Sequence, residues 1–406
     1  MAARVVNPEA GAAPQPAVRG ANEVRVLHLN AGNQYGGVET LLTTLGNLRH
    51  LCPGMQPHFA TCYEGRSSRE LIQAGVPVHV LGDVRFSRPW TVRRARRRLR
   101  DLLQRERFDL VICHMSWTMS IFSAAARSTG HRVAMWAHGF QSVENWLDRI
   151  SRRTRPEFVI ANSRFTADWV RGQFPKTPVH VIYCPVAPPE YRDVQRPRAT
   201  LRREHGVDEG TTVILQVGRL EPWKGHLVHL SALSLLNPAA KWVCWIAGGA
   251  QTAEQQQYFE QLQAAASELG ISSRVRFLGQ RTDVPELLVA ADIFCQPNQG
   301  PEPFGLVFVE ALWAGRPVIS SRLGGASEIV DESCGLLVNP GDAKGLAESL
   351  QRLIASPTLR QHLGRGGPAR ARQLCDPASQ MKQLKDLAKL FAGDAGLQAA
   401  DEGAAG

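Results

Sequence analysis

The stretch VRVLHLNAGNQYGGVETLLTTLGNL, residues 24–48, decides the fold of the first half of the chain. It begins with a run that is typical of a buried strand, passes through a glycine-rich loop and ends in the apolar periodicity of a helix. The second half begins in the same way, with the strand TTVILQVG (211–218), the loop RLEPWKG and the helix HLVHLSALSLL. Such strand–loop–helix units build parallel α/β sheets.

Strand-like runs alternate with helical patterns through the rest of both halves. We predict further strands at 57–63, 76–81, 109–114, 132–138, 158–163 and 179–184, and then at 241–249, 275–280, 292–298, 317–321 and 335–340. The fold class is therefore α/β, with two doubly wound, Rossmann-like domains. Because ligands bind at the carboxyl ends of the strands in such sheets, we expect the two domains to face each other across a cleft.

The length of 406 residues, of which 44% are hydrophobic, predicts two cores rather than one. We place an N-terminal domain at 23–187 and a C-terminal domain at 208–380, joined by a proline-rich, charged linker at 188–207. The segments 1–22 and 392–406 are rich in alanine and glycine and lack apolar periodicity. We expect both to be disordered.

The eight cysteines include no CxxC pair, and several lie inside apolar runs. This pattern disfavours a zinc site or a disulfide framework and favours a reducing cytoplasm. No apolar run approaches the roughly 20 residues that span a bilayer. The first 22 residues also lack the apolar region of a signal peptide.

The formal net charge of +10 and the isoelectric point near 9.5 indicate anionic partners. Much of the charge lies in RRARRRLR, residues 93–100, on the outer face of an amphipathic helix. The apolar positions of that helix are Val92, Ala95, Leu99, Leu102 and Leu103. Its arginines form either a solvated face or a peripheral contact with the anionic inner face of the cell membrane. Nucleic acid is disfavoured because no RNA-recognition sequence or aromatic platform accompanies them.

The most specific signal is PEPFGLVFVEALWAGRPVI, residues 301–319, in which seven residues separate Glu302 from Glu310. Its apolar run predicts a buried helix, and Gly305 opens that helix with backbone N–H groups that attract anions. Glu310 on an apolar helix requires a polar partner. Two carboxylates on either side of an anion site suit a ligand that is part sugar and part phosphate.

Arg219 and Lys224 flank the loop after the strand 211–218, at the carboxyl edge of the predicted sheet. A guanidinium binds a diphosphate through two hydrogen bonds, and an ammonium neutralises it as a point charge. Both residues also fit the description of ordinary surface cations. Their position at a strand end, with Gly225 directly after them, favours the functional interpretation.

Other strand ends carry further candidates. Gly36 and Gly37 let the backbone approach a ligand before a helix begins, but without the GxGxxG spacing a nicotinamide cofactor is disfavoured. His138 ends a strand, where a structural and a catalytic role are equally compatible with the pattern. Gly279 also ends a strand, and Gln280 follows it at a position where a nucleotide base can be read.

The combination of GGVE (36–39), GRLEPWKG (218–225) and EPFGLVFVE (302–310), followed by GRPVISS and LGGASE, strongly resembles glycosyltransferase family four over about residues 23–390. The resemblance implies the GT-B fold and transfer, with retention of configuration, from a UDP- or GDP-linked sugar to an acceptor hydroxyl. It also implies a role in glycan, polysaccharide or glycolipid biosynthesis, with a glycan or lipid-linked acceptor. In this family the last helix crosses back to the first domain, which would place 381–391 there.

Site roles follow from the same resemblance. It implies that Glu302 contacts the donor sugar, that Glu310 binds the ribose hydroxyls, and that Arg219 and Lys224 stabilise the leaving diphosphate in place of a metal ion. No bound metal or other cofactor is expected.

The resemblance also assigns three backbone amides and two residues of the first domain. The amides of Phe304, Gly305 and Leu306 hold donor hydroxyls and phosphate. Gly37 lies beside the β-phosphate, and His138 points at the sugar.

Two alternatives remain beside a transferase. A phosphorylase of the same fold would need a lysine for pyridoxal phosphate, and only Lys224 lies near the glycine-rich loops. A catalytically inactive scaffold that binds a nucleotide sugar or a membrane surface is the other alternative, and the intact set of charged motif residues argues against it. The segment CQPNQGPE departs from the family's PSxxE spacing, which leaves the donor sugar open.

Overall fold

The computed structural model describes residues 4–5, 23–32, 36–139, 146–189 and 195–402. The chain forms two compact units. The first runs to Pro185 and resumes at Pro377, and the second spans Val186–Asp376. Apart from residues 4–5, the N-terminal segment for which disorder was predicted lies outside the described residues, as do 403–406.

The first unit contains a sheet in the strand order β1-β4-β3-β2-β5-β6-β7-β8. Its strands are β1 (Arg4–Val5), β2 (Val24–Asn30), β3 (Met55–Thr61), β4 (Val78–Val80), β5 (Leu110–His114), β6 (Val133–Ala137), β7 (Val159–Ala161) and β8 (Val179–Val181). Among the strands that the structure describes in this unit, only the short β1 pairs antiparallel. Its first helices are α1 (Gly37–Asn47), α2 (Arg66–Gln73), α3 (Pro89–Arg105), α4 (Met115–Arg127), α5 (Trp146–Arg153) and α6 (Arg164–Gln173).

The second unit contains a parallel sheet in the order β11-β10-β9-β12-β13-β14. Its strands are β9 (Thr212–Val217), β10 (Trp242–Ala247), β11 (Val275–Gly279), β12 (Ile293–Gln296), β13 (Val318–Ser321) and β14 (Gly335–Val338). Its helices are α7 (Gln195–Glu204), α8 (His226–Ser234), α9 (Ala253–Glu268), α10 (Val284–Ala290), α11 (Leu306–Trp313), α12 (Ala326–Ile329), α13 (Ala343–Ala355) and α14 (Pro357–Cys375).

Each sheet has a point at which the strand order reverses, and that point positions the candidate residues. In the first unit the chain builds outward from β2 on one side and from β5 on the other. In the second unit the same reversal lies between β9 and β12. Loops that leave neighbouring strands in opposite directions open a crevice at the carboxyl ends of those strands.

The segment predicted as a linker contains a helix, α7, that belongs to the second unit. Arg198 and Arg202 of this helix donate to the two carboxylate oxygens of Asp292, at 2.8 and 3.1 Å. Arg202 is only 1% exposed. This part of the charged run therefore does not behave as a solvated linker, because two of its arginines pair with the carboxylate of Asp292.

The last helix, α15 (Pro377–Glu402), belongs to the first unit and includes the segment 381–391. Met381, Leu384 and Ala388 are buried, and the ring of Phe391 packs against Phe158 at 4.3 Å between centroids. The helix backbone continues past residue 392, where we predicted disorder. Alanine is the best helix former, which accounts for this difference.

All eight cysteines lie in the described part of the chain, where they are buried and form no disulfide bond. None of the helices among the described residues combines the length and the apolar character that crossing a bilayer requires.

Candidate active site

The loops after β9 and β12 meet at the reversal point of the second sheet, since these two strands are hydrogen-bonded neighbours. Lys224 ends a single turn of 3-10 helix in the first loop, and Glu302 lies in the second. The ammonium of Lys224 donates to Oε2 of Glu302. The two side chains are 11% and 13% exposed. The structure thus brings together two residues that the sequence analysis singled out.

A glycine lets the two loops approach each other. Gly225 adopts φ = +75°, and a Cβ atom there would lie 1.8 Å from the carbonyl oxygen of Pro297. The amides of Gln299 and Gly300 donate to the carbonyl of Trp223, at 2.8 and 3.2 Å. Lys224 therefore sits on a turn that the loop after β12 holds in place.

Three buried amide side chains support the ion pair, and the sequence analysis missed them. Nδ2 of Asn298 lies 3.4 Å from Oε2 of Glu302, and Gln296 donates to Oδ1 of Asn298 at 3.1 Å. Gln216 donates to the carbonyl of Lys224 at 3.0 Å. All three amide residues are buried at the ends of apolar strands. Polar residues in such positions need hydrogen-bond partners, which is the signal that could have found them.

Helix α11 begins at Leu306, four residues after Glu302. Gly305 caps the helix with φ = +98°, and a Cβ atom there would lie 2.4 Å from the ring of Phe308 and 3.1 Å from Cγ of Glu302. Phe304 is buried, and Leu306 is the first residue of the helix. The predicted anion-binding segment 304–306 is therefore next to the Lys224–Glu302 pair.

The loop after β13 fixes the backbone of Glu302 from the other side. The amide of Gly325 donates to the carbonyl of Glu302 at 2.7 Å. A Cβ atom at Gly324, where φ is +65°, would lie 2.4 Å from that carbonyl oxygen. These glycines allow the backbones of the two loops to approach each other closely.

Glu310 lies partly exposed on α11. Burial raises the pKa of this carboxyl group to about 7. Among the described residues, no hydrogen-bond donor or cation contacts the carboxylate. The polar partner that the sequence analysis required for Glu310 is thus not supplied by that part of the chain.

Arg219 lies in the same loop after β9 as Lys224, and Gly279 and Gln280 lie at the end of β11 in the same half of the sheet. Arg219 is 51% exposed and pairs with Glu221 at 3.0 Å. Gly279, with φ = +66°, accepts a hydrogen bond from the amide of Gly248 at 2.9 Å, and Gln280 is exposed. Within the described part of the chain, neither Arg219 nor Gln280 hydrogen-bonds to Glu302, so these candidates line the same sheet edge without joining the ion pair.

In the first unit, Gly36 caps α1 and Gly37 is its first residue. The carboxylate of Glu39 accepts hydrogen bonds from the amide of Gly36 at 3.1 Å and from the side chain of Asn30 at 3.0 Å. The glutamate of the GGVE motif therefore fixes the start of the helix. Residues 33–35 of this loop lie outside the described residues.

His138, which follows β6, belongs to a row of three histidines. Its Nε2 lies 2.8 Å from Nδ1 of His114, and Nε2 of His114 lies 2.9 Å from Nδ1 of His28. Burial lowers the pKa of His138 to about 3, with a smaller contribution from His28. The sequence analysis found His138 by its strand end and missed the row, because its members come from three separate strands.

Among the residues that the structure describes, one set of side chains could serve as metal ligands. Ligand atoms of His58, His79 and Glu106 lie within 4.8 Å of one another. However, Arg25 donates to Glu106 at 2.9 Å and lies 3.2 Å from Nε2 of His58. The guanidinium already neutralises the carboxylate and would repel a cation, so this cluster fits an ion-pair network better than a metal centre.

Comparison with known families shows to which family the chain belongs. The family model described as Glycosyltransferase Family 4 matches residues 35–188, and the one described as Glycosyl transferases group 1 matches residues 197–370. A D-inositol 3-phosphate glycosyltransferase of Corynebacterium diphtheriae is 30% identical over 329 residues, which cover 74% of this chain and 72% of that protein. The chain belongs to glycosyltransferase family 4.

Other glycosyltransferases are similar over shorter lengths. A D-inositol 3-phosphate glycosyltransferase of Salinispora tropica is 30% identical over 300 residues, or 71% of this chain and 60% of that protein. The lipopolysaccharide core biosynthesis glycosyltransferase LpsD of Rhizobium meliloti is 43% identical over 109 residues, or 27% of this chain and 32% of its own. The chain thus spans 60% or less of the length of these two relatives.

Solved structures share the fold. HepE of Anabaena, crystallised with UDP and glucose, superposes with a TM-score of 0.76 at 24% identity, over 90% of this chain and 99% of its own. A glycosyltransferase of Rickettsia africae gives a TM-score of 0.78 at 18% identity, over 91% and 99%. With its two Rossmann-like units, this family 4 chain has the GT-B fold.

Proposed function

We propose that the protein is a retaining glycosyltransferase that moves a sugar from a nucleotide diphosphate sugar to an acceptor hydroxyl. The observation that carries this proposal is the contact between Lys224 and Glu302 beside the N-terminus of α11. A cation, a carboxylate and outward-facing backbone amides are what a diphosphate joined to a sugar requires. Family membership supports the same reaction.

The donor is a UDP- or GDP-linked sugar in this proposal. Lys224 and Arg219 neutralise the diphosphate, and the amides of residues 304–306 bind its oxygens or the sugar hydroxyls. Glu310 accepts hydrogen bonds from the ribose hydroxyls, which supplies the partner that its carboxylate lacks within the described residues. The UDP and glucose bound to the Anabaena protein make UDP-glucose the first donor to test.

The reaction proceeds on one face of the sugar. The bond between the anomeric carbon and the diphosphate oxygen breaks while the acceptor oxygen bonds to the same face, and the acceptor proton passes to the leaving diphosphate. Negative charge grows on that diphosphate, so the chief contribution of the protein is electrostatic. Lys224 and Arg219 supply the positive charge without a metal ion. Glu302 and His138 orient the sugar, and Gly37 lets the backbone approach the β-phosphate.

The acceptor is a glycan or a lipid-linked molecule, and α3 contacts an anionic membrane surface. Arg93, Arg94 and Arg97 are exposed on this helix, and Trp90 at its start is 60% exposed. Arg96 and Arg98 differ, because they donate to backbone carbonyls of Ile121 and Leu81. The exposed arginines and the tryptophan form an interfacial face of the kind that binds anionic headgroups.

The test is a titration of the purified protein with UDP, GDP, ADP and their common sugars, followed by calorimetry and by melting temperature. We expect micromolar binding of one nucleotide diphosphate that Arg219→Ala weakens. Transfer or slow hydrolysis of the matching sugar nucleotide would then establish the reaction. Binding without turnover would favour the inactive scaffold, and the absence of any binding would overturn the donor-site assignment.

A further inference from the structure

Three imidazoles form a continuous hydrogen-bonded row from the interior of the first unit to the carboxyl edge of its sheet. They lie on the neighbouring strands β2 and β5 and directly after β6. His28 and His114 are 0% and 1% exposed, and His138 is partly exposed. The planes of the His114 and His138 rings are 5° from parallel and their centroids are 5.0 Å apart, as expected for two rings that meet edge to edge through the N···N contact.

Counting protons limits the states of this row. Burial lowers the pKa of His28 to about 3 and that of His114 well below its usual value, so the rings are neutral near pH 7. A neutral imidazole carries one N–H and one bare nitrogen. Each of the two N···N contacts needs one proton, and His114 can donate in only one of them. Both contacts are hydrogen bonds only when all three rings adopt the same tautomer.

The two possible arrangements differ at the ends of the row. When every ring carries its proton on Nδ1, His138 presents an N–H at its outer nitrogen, and His28 has a bare Nε2. When every ring carries its proton on Nε2, His138 presents a bare Nδ1, and His28 has a buried N–H. Nε2 of His28 is buried and has no hydrogen-bond partner among the described residues. The presence of a proton on Nε2 of His28 therefore determines whether Nδ1 of His138 carries one.

We propose that His28 and His114 are positioning residues, which hold His138 in a single tautomer so that its Nδ1 meets the ligand as a fixed hydrogen-bonding group. This inference rests on the proposed function, in which His138 contacts the sugar of the donor. The tautomer of a histidine is set by the hydrogen bond that its other nitrogen makes. A reacting group that is already fixed before the reaction loses no freedom during it.

Histidine-selective ¹⁵N NMR of the full chain tests this directly, because the two ring nitrogens of each tautomer have distinct chemical shifts. We expect the three rings to be neutral at about pH 7 and to share one tautomer. Mixed tautomers along the row, or averaging at His138, would overturn the proposal. This measurement requires only the unsubstituted protein, so it remains decisive even where a variant does not fold.

Two isosteric replacements of His114 separate positioning from a general structural role. The amide of asparagine reaches the place of Nδ1, and that of glutamine reaches the place of Nε2. His114→Asn therefore keeps the partner of His138, whereas His114→Gln keeps only the partner of His28. We expect a single tautomer of His138 in the first variant and a mixture in the second. An unchanged His138 in His114→Gln would contradict the proposal.

A matched control and a kinetic measurement complete the design. His79 is equally buried, on β4 of the same sheet, and makes no contact with the row, so His79→Phe should leave the His138 signals unchanged. With UDP-glucose as the probe, His114→Gln should lower kcat by roughly three- to tenfold, with a smaller loss in His114→Asn. An equal decrease of kcat in both variants would mean that the row has only a structural role. If the protein binds no nucleotide, the proposed function fails while the shared tautomer can still be observed.

Discussion

The ammonium of Lys224 contacts the carboxylate of Glu302, although 78 positions separate the two residues in the sequence. Both side chains are largely buried. Removing one partner of such a pair leaves the other charge without compensation, which costs more than the pair itself contributes. The two residues therefore act as one unit in which each keeps the other in place.

We expect Lys224→Ala and Glu302→Gln each to lower kcat by about two orders of magnitude or more. Lys224→Ala removes positive charge from the site at which the diphosphate leaves, and Glu302→Gln removes the carboxylate that orients the sugar and pairs with Lys224. Turnover of UDP-glucose measures the effect. The exposed Lys344 on α13 supplies the control Lys344→Ala, which should retain full activity. Because the residues are in contact, the double variant should lose less than the product of the single losses. Near-wild-type rates in both single variants would refute the site assignment.

Arg219→Ala should weaken UDP about ten- to a hundredfold and leave the affinity for uridine unchanged, since only the diphosphate requires the guanidinium. Calorimetric titration with both compounds measures this difference. Arg276 is an exposed arginine on β11, and Arg276→Ala provides a control of equal charge. A parallel loss of affinity for uridine would indicate that the substitution distorts the loop instead.

Glu310→Gln should raise the melting temperature at about pH 8 and have little effect at about pH 5. The folded protein holds the proton of Glu310 up to about pH 7, above the ordinary value of 4.5 for glutamate. Between these values the unfolded chain binds fewer protons, so the stability of the wild-type protein falls as the pH rises. Glutamine removes that dependence. Thermal unfolding at both pH values gives the result.

The same substitution should weaken UDP more than 2′-deoxy-UDP, because glutamine accepts fewer hydrogen bonds from the ribose hydroxyls than a carboxylate does. The exposed Glu348 provides the control Glu348→Gln for both measurements. A variant with the pH dependence of the wild-type protein would exclude Glu310 as the titrating group.

Gly324→Ala and Gly341→Ala form a matched pair that isolates crowding at Glu302. Both glycines have positive φ, +65° and +78°, so an alanine pays a similar backbone cost of roughly 1–2 kcal/mol at either position. A Cβ atom has no neighbour within 4 Å at Gly341, whereas at Gly324 it lies 2.4 Å from the carbonyl oxygen of Glu302. We expect both variants to unfold at a lower urea concentration than the wild-type protein. The decrease should be larger for Gly324→Ala, and only this variant should lose activity. Equal behaviour would show that the close approach does not position Glu302.

Replacing Arg93, Arg94 and Arg97 together by glutamate should weaken binding to phosphatidylserine vesicles, because each basic residue near the surface contributes about 1 kcal/mol. Sedimentation with vesicles of neutral and anionic lipid measures the change. The control replaces Arg203, Arg352 and Arg365, which are also exposed but lie in the second unit. An equal loss of vesicle binding in both triple variants would show that binding depends on net charge and not on α3.

The sequence predicts both sheets well because most of their strands are buried and appear as apolar runs. β1 was missed, since two residues form no pattern. The helix α7 was missed because the partner of Arg198 and Arg202 is Asp292, which only folding brings near. In the sequence, a charged segment that is buried by a distant partner looks the same as a charged segment that is exposed to solvent.

The candidate site likewise contains some residues that the sequence identifies and others that only the fold reveals. Lys224 and Glu302 stand in motifs and could be named from the sequence, as could Gly305 at the start of α11. Asn298 and Gln216 belong to no motif, and only the need of a buried amide for a hydrogen-bond partner could have pointed to them. The histidine row depends on the order of β2, β5 and β6, which places distant residues side by side.

The return of α15 to the first unit has a consequence for synthesis on the ribosome. The residues of the second unit are contiguous, so it can close as soon as they have emerged. The first unit begins earlier but waits for α15, whose Met381 and Ala388 complete its interior. The half of the protein that is translated first is therefore the half that finishes folding last.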